Sequence, residues 1–120
     1  MPATVVGVSI CYLAIDVGGV KLAAAVVSEQ GEVLVRDRIA TPQREVWPAL
    51  SRLVLRVMAA APTPPVGCGV GCGGPMNPAE RTVSPLYIPS WKAFPLAAEV
   101  EALTQLPPVV DNNGESVGRG

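Results

Sequence analysis

The chain has 120 residues, a formal net charge of -1 and only 16% charged residues, with three cysteines and no histidine. That length makes one domain, able to bury roughly two-thirds of its unfolded surface. The lack of a Lys/Arg cluster removes the electrostatic footprint of a nucleic-acid binder. The lack of histidine removes His-based catalysis and most zinc chemistry, so no metal site and no zinc are expected.

Met1 to Tyr12 is apolar, but the first cation is Lys21, so neither a secretory signal nor a membrane span is supported and a cytoplasmic location is expected. From Leu13 to Val27 an apolar run leads into Asp16, then Gly18 and Gly19, then Lys21 and a second apolar run. This reads as strand, tight turn, strand. Two readings of the turn stand side by side. Glycines permit positive φ and carry no Cβ, so the turn can cradle an anion with backbone N–H groups, with Asp16 on a hydrated Mg²⁺ and Lys21 adding positive charge. It is equally the form of a plain Gly-Gly hairpin between buried strands.

A polar turn at Ser28 to Gly31 is followed by a third strand over Glu32 to Ile39, which completes an antiparallel meander. From about Glu45 the apolar positions Val46, Leu50, Leu53, Val54 and Val57 follow a 3.6-residue period, which predicts an amphipathic helix ending near Ala61 before Pro62, Pro64 and Pro65. Val66 to Cys72 is short, apolar and glycine-rich, a buried strand that leads into Gly73, Gly74 and Pro75. Its glycines either allow close packing on the sheet or let a ligand approach the loop at the sheet's edge. The cysteines Cys11, Cys68 and Cys72 read as buried thiols.

A short strand over Arg81 to Ser84 and a proline-ruled loop from Pro85 to Trp91 follow, with Trp91 and Phe94 read as packing anchors. Pro95 opens a second helix with Leu96, Val100 and Leu103 on one face, and Pro107 to Asp111 forms a last strand. Three strands, helix, strand, helix, strand make an α/β layer with a mixed sheet.

Four segments together, Leu13 to Ala23, Gly69 to Pro75, Ser84 to Trp91 and Val109 to Asn112, resemble the amino-terminal lobe of the ROK family, the bacterial glucokinase-type sugar kinases and sugar-responsive repressors. The resemblance implies a ribonuclease-H-like lobe of the actin and hexokinase type, read here as a truncated lobe over residues 1–120. It implies ATP and Mg²⁺ as cofactors, a hexose or amino-sugar substrate, and no zinc site in this chain. Asp16, Gly18, Gly19, Val20 and Lys21 match the nucleotide-phosphate motif, where Thr is usual at Val20. Gly73, Gly74, Tyr87 and Asn112 match the sugar side, where Asn is common at Tyr87.

Asn113 stands where the kinases carry the general-base Asp. A neutral amide cannot take the proton, a loss of about 10²–10⁴ in rate. The expected function is therefore that of an inactive half of an ATP-dependent sugar kinase, with a non-catalytic sugar- or partner-binding module as the alternative. Self-association through exposed lobe surface is also expected. Residues 114–120 depart from the family helix. One codon choice for Asn113 to Gly120 restores Thr-Ala-Lys-Ala-Leu-Ala-Val when read one nucleotide later, which implies a shifted reading frame.

Overall fold

The computed structural model describes residues 10–112. Asn113 and residues 114–120 lie outside the described residues, as does the frame-shifted reading that falls on them. The element order is β1 (Cys11–Val17), β2 (Lys21–Ser28), β3 (Val33–Ala40), α1 (Val46–Ala60), β4 (Cys68–Cys72), β5 (Met76–Asn77), β6 (Thr82–Val83), α2 (Leu96–Thr104) and β7 (Pro108–Asn112).

The main sheet has the order β3-β2-β1-β4-β7. The meander pairs antiparallel, and β4 and β7 add in parallel on the other side of β1. This is the mixed sheet expected from the element order, and its α/β layout is that of an actin-type lobe. A small hairpin of β5 and β6 stands apart from it. The sequence reading found β6 but not its two-residue partner, which is too short to show a period.

Strict alternation of burial along β1 sends Cys11, Leu13, Ile15 and Val17 to one face. Leu22, Ala24 and Val26 of β2 share that face, and α1 packs over β2 and β3 while α2 packs over β7. Leu50, Leu53, Val54 and Val57 of α1 close the core from above, with Leu96 and Val100 of α2. Trp91 stacks on Phe94 at 4.1 Å with the rings nearly parallel, so both anchor the loop that precedes α2. Arg56 of α1 reaches Asp37 of β3 at 2.7 Å, and the guanidinium holds that carboxyl below its usual range.

The opposite face carries no helix among the described residues. Its central rows run Arg38-Ala23-Asp16-Gly71-Asp111 and Arg36-Ala25-Ala14-Gly69-Val109. Solvated faces of antiparallel sheets ordinarily present polar side chains. Here the middle is alanine and glycine around the single carboxylate of Asp16, with Arg36, Arg38 and Asp111 on the flanks.

Candidate functional site

Strands β1, β4 and β7 run parallel, and their register places Val17, Cys72 and Asn112 in one row. The segments that follow β1 and β4 therefore leave the sheet at the same edge. That edge is where open α/β sheets bind ligands. It brings the Gly18-Gly19 turn and the Gly73-Gly74 turn together with the end of β7, three of the sequence-predicted segments. Asn112 is the last residue of β7, and Asn113 lies beyond the described residues.

The first turn is a closed hairpin. The Gly18 N–H donates to the Lys21 carbonyl at 3.0 Å, and Thr41 clamps the turn from β3's end. Its hydroxyl donates to the Gly18 carbonyl at 2.7 Å and its N–H donates to the Val20 carbonyl at 2.9 Å. Neither Gly18 nor Gly19 adopts positive φ, contrary to the conformational reading of these glycines. What they supply is space. A Cβ on Gly18 would lie 2.9 Å from the Lys21 carbonyl oxygen, and one on Gly19 would lie 3.1 Å from the Tyr87 ring.

Of the amides in this turn, that of Gly18 is engaged within the hairpin. Those of Gly19 and Val20 have no acceptor among the described residues. Two amides with Lys21 beside them suit an anion. Val20 is 84% exposed at the turn and offers no hydroxyl. Asp16 sits one residue before the end of β1 on the bare face, in the same row as Asp111 and separated from it by Gly71, two strand spacings or on the order of 10 Å. Mg²⁺ bound through one or two carboxylates, with phosphate oxygens and water completing its shell, fits such a place. No group of three or more metal-ligating side chains occurs among the described residues. An open trough of about 580 Å³ continues from the turn along the bare face, lined by Asp16, Lys21, Ala23, Ala25, Arg36 and Arg38.

The second turn does require left-handed backbone. Gly74 has φ +83°, and a Cβ there would lie 2.4 Å from Pro85 Cα. Pro85 itself is fixed by the Ser84 N–H, which donates to the Pro75 carbonyl. The proline-ruled loop is thus pressed onto Gly74, and Tyr87 is carried into the gap between the turns.

The Tyr87 hydroxyl accepts from the Gly73 N–H at 2.8 Å and donates to the Val17 carbonyl at 2.9 Å. Burial, with Cys72 close by, pushes this phenol up to about 12, so it stays protonated and can donate. Sequence reasoning placed Tyr87 at the sugar side and missed that its hydroxyl bonds the protein itself. No local spacing signals this contact, because Tyr87 stands 70 residues from Val17.

Burial raises the Cys68 and Cys72 thiols from an ordinary 9.0 to about 11. All three cysteines are buried, as read from the sequence. A two-unit rise lowers the thiolate fraction about 100-fold at neutral to mildly alkaline pH. The less acidic thiolate is the stronger nucleophile, so thiol titration with a chromogenic disulfide at pH 8 should be slower for Cys68 and Cys72 in the native chain than in the denatured chain by about tenfold or more. Equal rates would show that β4 opens readily.

The fold and the rim define an actin-type α/β lobe with its glycine turns gathered at the carboxyl ends of three parallel strands. The chain belongs to the ROK family, whose family model matches residues 12–118. It is 31% identical over 115 residues to a glucokinase of Streptomyces coelicolor, an alignment covering 90% of this chain and 34% of that protein. It is 32% identical over 113 residues to an N-acetylmannosamine kinase of Yersinia pseudotuberculosis, covering 87% of this chain and 36% of the relative. Among solved structures, a ROK family glucokinase from Streptomyces griseus in complex with glucose and AMPPNP superposes with a TM-score of 0.69 at 30% identity, covering 86% of this chain and 33% of that one. The chain spans about a third of the length of these relatives.

Proposed function

We propose that the chain is the amino-terminal lobe of an ATP-dependent hexose or amino-sugar kinase, and that by itself it binds but does not turn over. The observation that carries this reading is the gathering of the Gly18-Gly19 turn, the Gly73-Gly74 turn and the end of β7 on one rim. In it, the Gly19 and Val20 amides and Lys21 meet nucleotide phosphate, with Asp16 toward the Mg²⁺ that such phosphates carry. Bound ATP would supply the phosphoryl group. This chain's own part is to position and to neutralise charge.

Gly73, Gly74, Tyr87 and Asn112 belong to the sugar side of the rim, and Asn113 takes the place of the general base. An amide there leaves the sugar hydroxyl without a proton acceptor, and Asp111 is two residues away on the bare face. Val20 removes a hydroxyl donor to phosphate, an interaction worth roughly 1.5–3 kcal/mol. The first change favours binding without chemistry, and the second weakens the hold on nucleotide. No helix among the described residues is long and apolar enough to cross a membrane. A cytoplasmic setting, where ATP is at hand and thiols stay reduced, suits the three free cysteines. The bare alanine and glycine face supports self-association of this lobe.

The test is a coupled ADP assay of the full chain with glucose and N-acetylmannosamine, beside calorimetry with each sugar and with AMPPNP. The expected result is weak binding and no ADP above background. Turnover would refute the inactive-lobe reading, and the absence of any binding would refute the rim as a ligand site. Sugar binding without nucleotide binding would favour a sugar-responsive module over a kinase lobe.

A further inference from the structure

Tyr87 does more than fill space at the rim, because its hydroxyl occupies a rung of the sheet. In the β1/β4 ladder the Leu13 N–H donates to the Gly67 carbonyl, so odd-numbered residues of β1 bond odd-numbered residues of β4. In a parallel ladder each such residue bonds two partners, one on either side of its register mate. Carried up the strands, that pattern makes the Gly73 N–H and the Val17 carbonyl the next pair to join, just past the last registered pair Val17 and Cys72. They do not join. The phenol stands between them, accepting from Gly73 at 2.8 Å and donating to Val17 at 2.9 Å.

We propose that this split rung is a hydroxyl-binding notch, that Tyr87 is its resident latch, and that a polyol ligand's hydroxyl takes the same donor and acceptor when the phenol swings out. The proposal rests on the sugar-rim reading above. A donor and an acceptor separated by one hydroxyl are matched to any alcohol, because an O–H group accepts and donates at once. The latch is built to be held and also to be released. Its ring lies against Gly19, where an added Cβ would stand 3.1 Å away, and against Gly73, where one would stand 3.0 Å from the hydroxyl oxygen. Glycine at both places is what admits the ring. Yet Tyr87 remains 39% exposed, so its outer side is open to solvent and no packed layer bars its exit. Two neutral hydrogen bonds hold the hydroxyl, and a ligand hydroxyl can replace each of them in kind. Tyr87 thereby sets which ligands the rim accepts: only one that supplies a hydroxyl to both Gly73 and Val17 offsets what displacing the phenol costs.

The test uses the full chain labelled with ¹⁵N. Tyr87→Phe keeps the ring against Gly19 and removes the hydroxyl. Its Gly73 amide should exchange with solvent at least about tenfold faster than in the parent chain, while amides in the middle of β1 keep their rates. An unchanged Gly73 rate would overturn the notch regardless of any sugar. Tyr87→Ala vacates the notch, with Tyr87→Ser in reserve should the alanine chain unfold. Titration with glucose or N-acetylmannosamine should then shift the Gly73 resonance at concentrations at least about tenfold below those the parent chain needs. Sugar-induced shifts at Gly74 that spare Gly73 would overturn the latch and leave the sugar rim standing. A complete lack of sugar-induced shifts in every chain would overturn the sugar rim, and the latch with it.

Discussion

Gly74→Ala is expected to destabilise the chain by about 2–5 kcal/mol, through two effects that act at the same atom. The left-handed backbone conformation costs an L-residue roughly 1–2 kcal/mol, and overpacking against fixed neighbours adds roughly 1–3 kcal/mol. The neighbour is backbone: a Cβ would lie 2.4 Å from Pro85 Cα, and 3.1 Å from both the Pro85 nitrogen and its Cβ. Neither side can yield by a rotamer change, so the turn or the proline loop must move, and Tyr87 moves with it. Gly31 separates the two effects. It has φ +88° but nothing within 4 Å of where its Cβ would be. Gly31→Ala should therefore show only the conformational part, about 1–2 kcal/mol. Urea unfolding of the two variants would measure the difference. If the two substitutions cost the same, the contact between Gly74 and the proline loop is not as described.

Leu53→Ala is expected to cost about 2–5 kcal/mol, the range for removing a fully buried leucine side chain whose surroundings relax only in part. Leu53 is 0% exposed at the centre of α1's inner face, flanked along the helix by buried Leu50, Val54 and Val57. A small domain has about 5–15 kcal/mol in total, so this one change removes a large share of it. The helix lacks compensating features at its ends, with no side-chain cap at its start and no basic residue in its last turn. It is held by packing rather than by its own propensity. Leu55, 49% exposed on the outer face, provides the contrast. Leu55→Ala should change the thermal midpoint little, and a loss as large as that of Leu53→Ala would mean that α1 is turned the other way.

The agreement at α1 and β1 shows what kind of information a sequence carries. Val46, Leu50, Leu53, Val54 and Val57 were read as one helical face, and all five are buried. The apolar run from Leu13 reads as a strand and is one, while the alternation that sends Cys11, Leu13, Ile15 and Val17 to the covered face is seen only in the structure. Small offsets, such as β3 beginning at Val33 rather than Glu32, arise because strand ends are set by the partner strand and not by the strand's own residues. At the rim the record is mixed. Asp16, Gly18, Gly19 and Lys21 stand out by pattern, and of the two properties read in Gly18 and Gly19 the permitted positive φ goes unused while the missing Cβ is what the closeness of Lys21 and Tyr87 requires.

The amino-acid order by itself determined the order of the longer strands and helices, the inner face of α1, and a family resemblance carried by four short segments. Those are properties of neighbours in the chain, where side-chain direction repeats every 2 or 3.6 residues. Only the tertiary structure decided that Pro85 presses on Gly74, that one sheet face carries no helix among the described residues, and that a phenol 70 residues from Val17 enters the rung between Val17 and Gly73. Contacts of that kind depend on which strand ends the topology brings to the same edge, and nothing in the local spacing of residues encodes the distance across that edge.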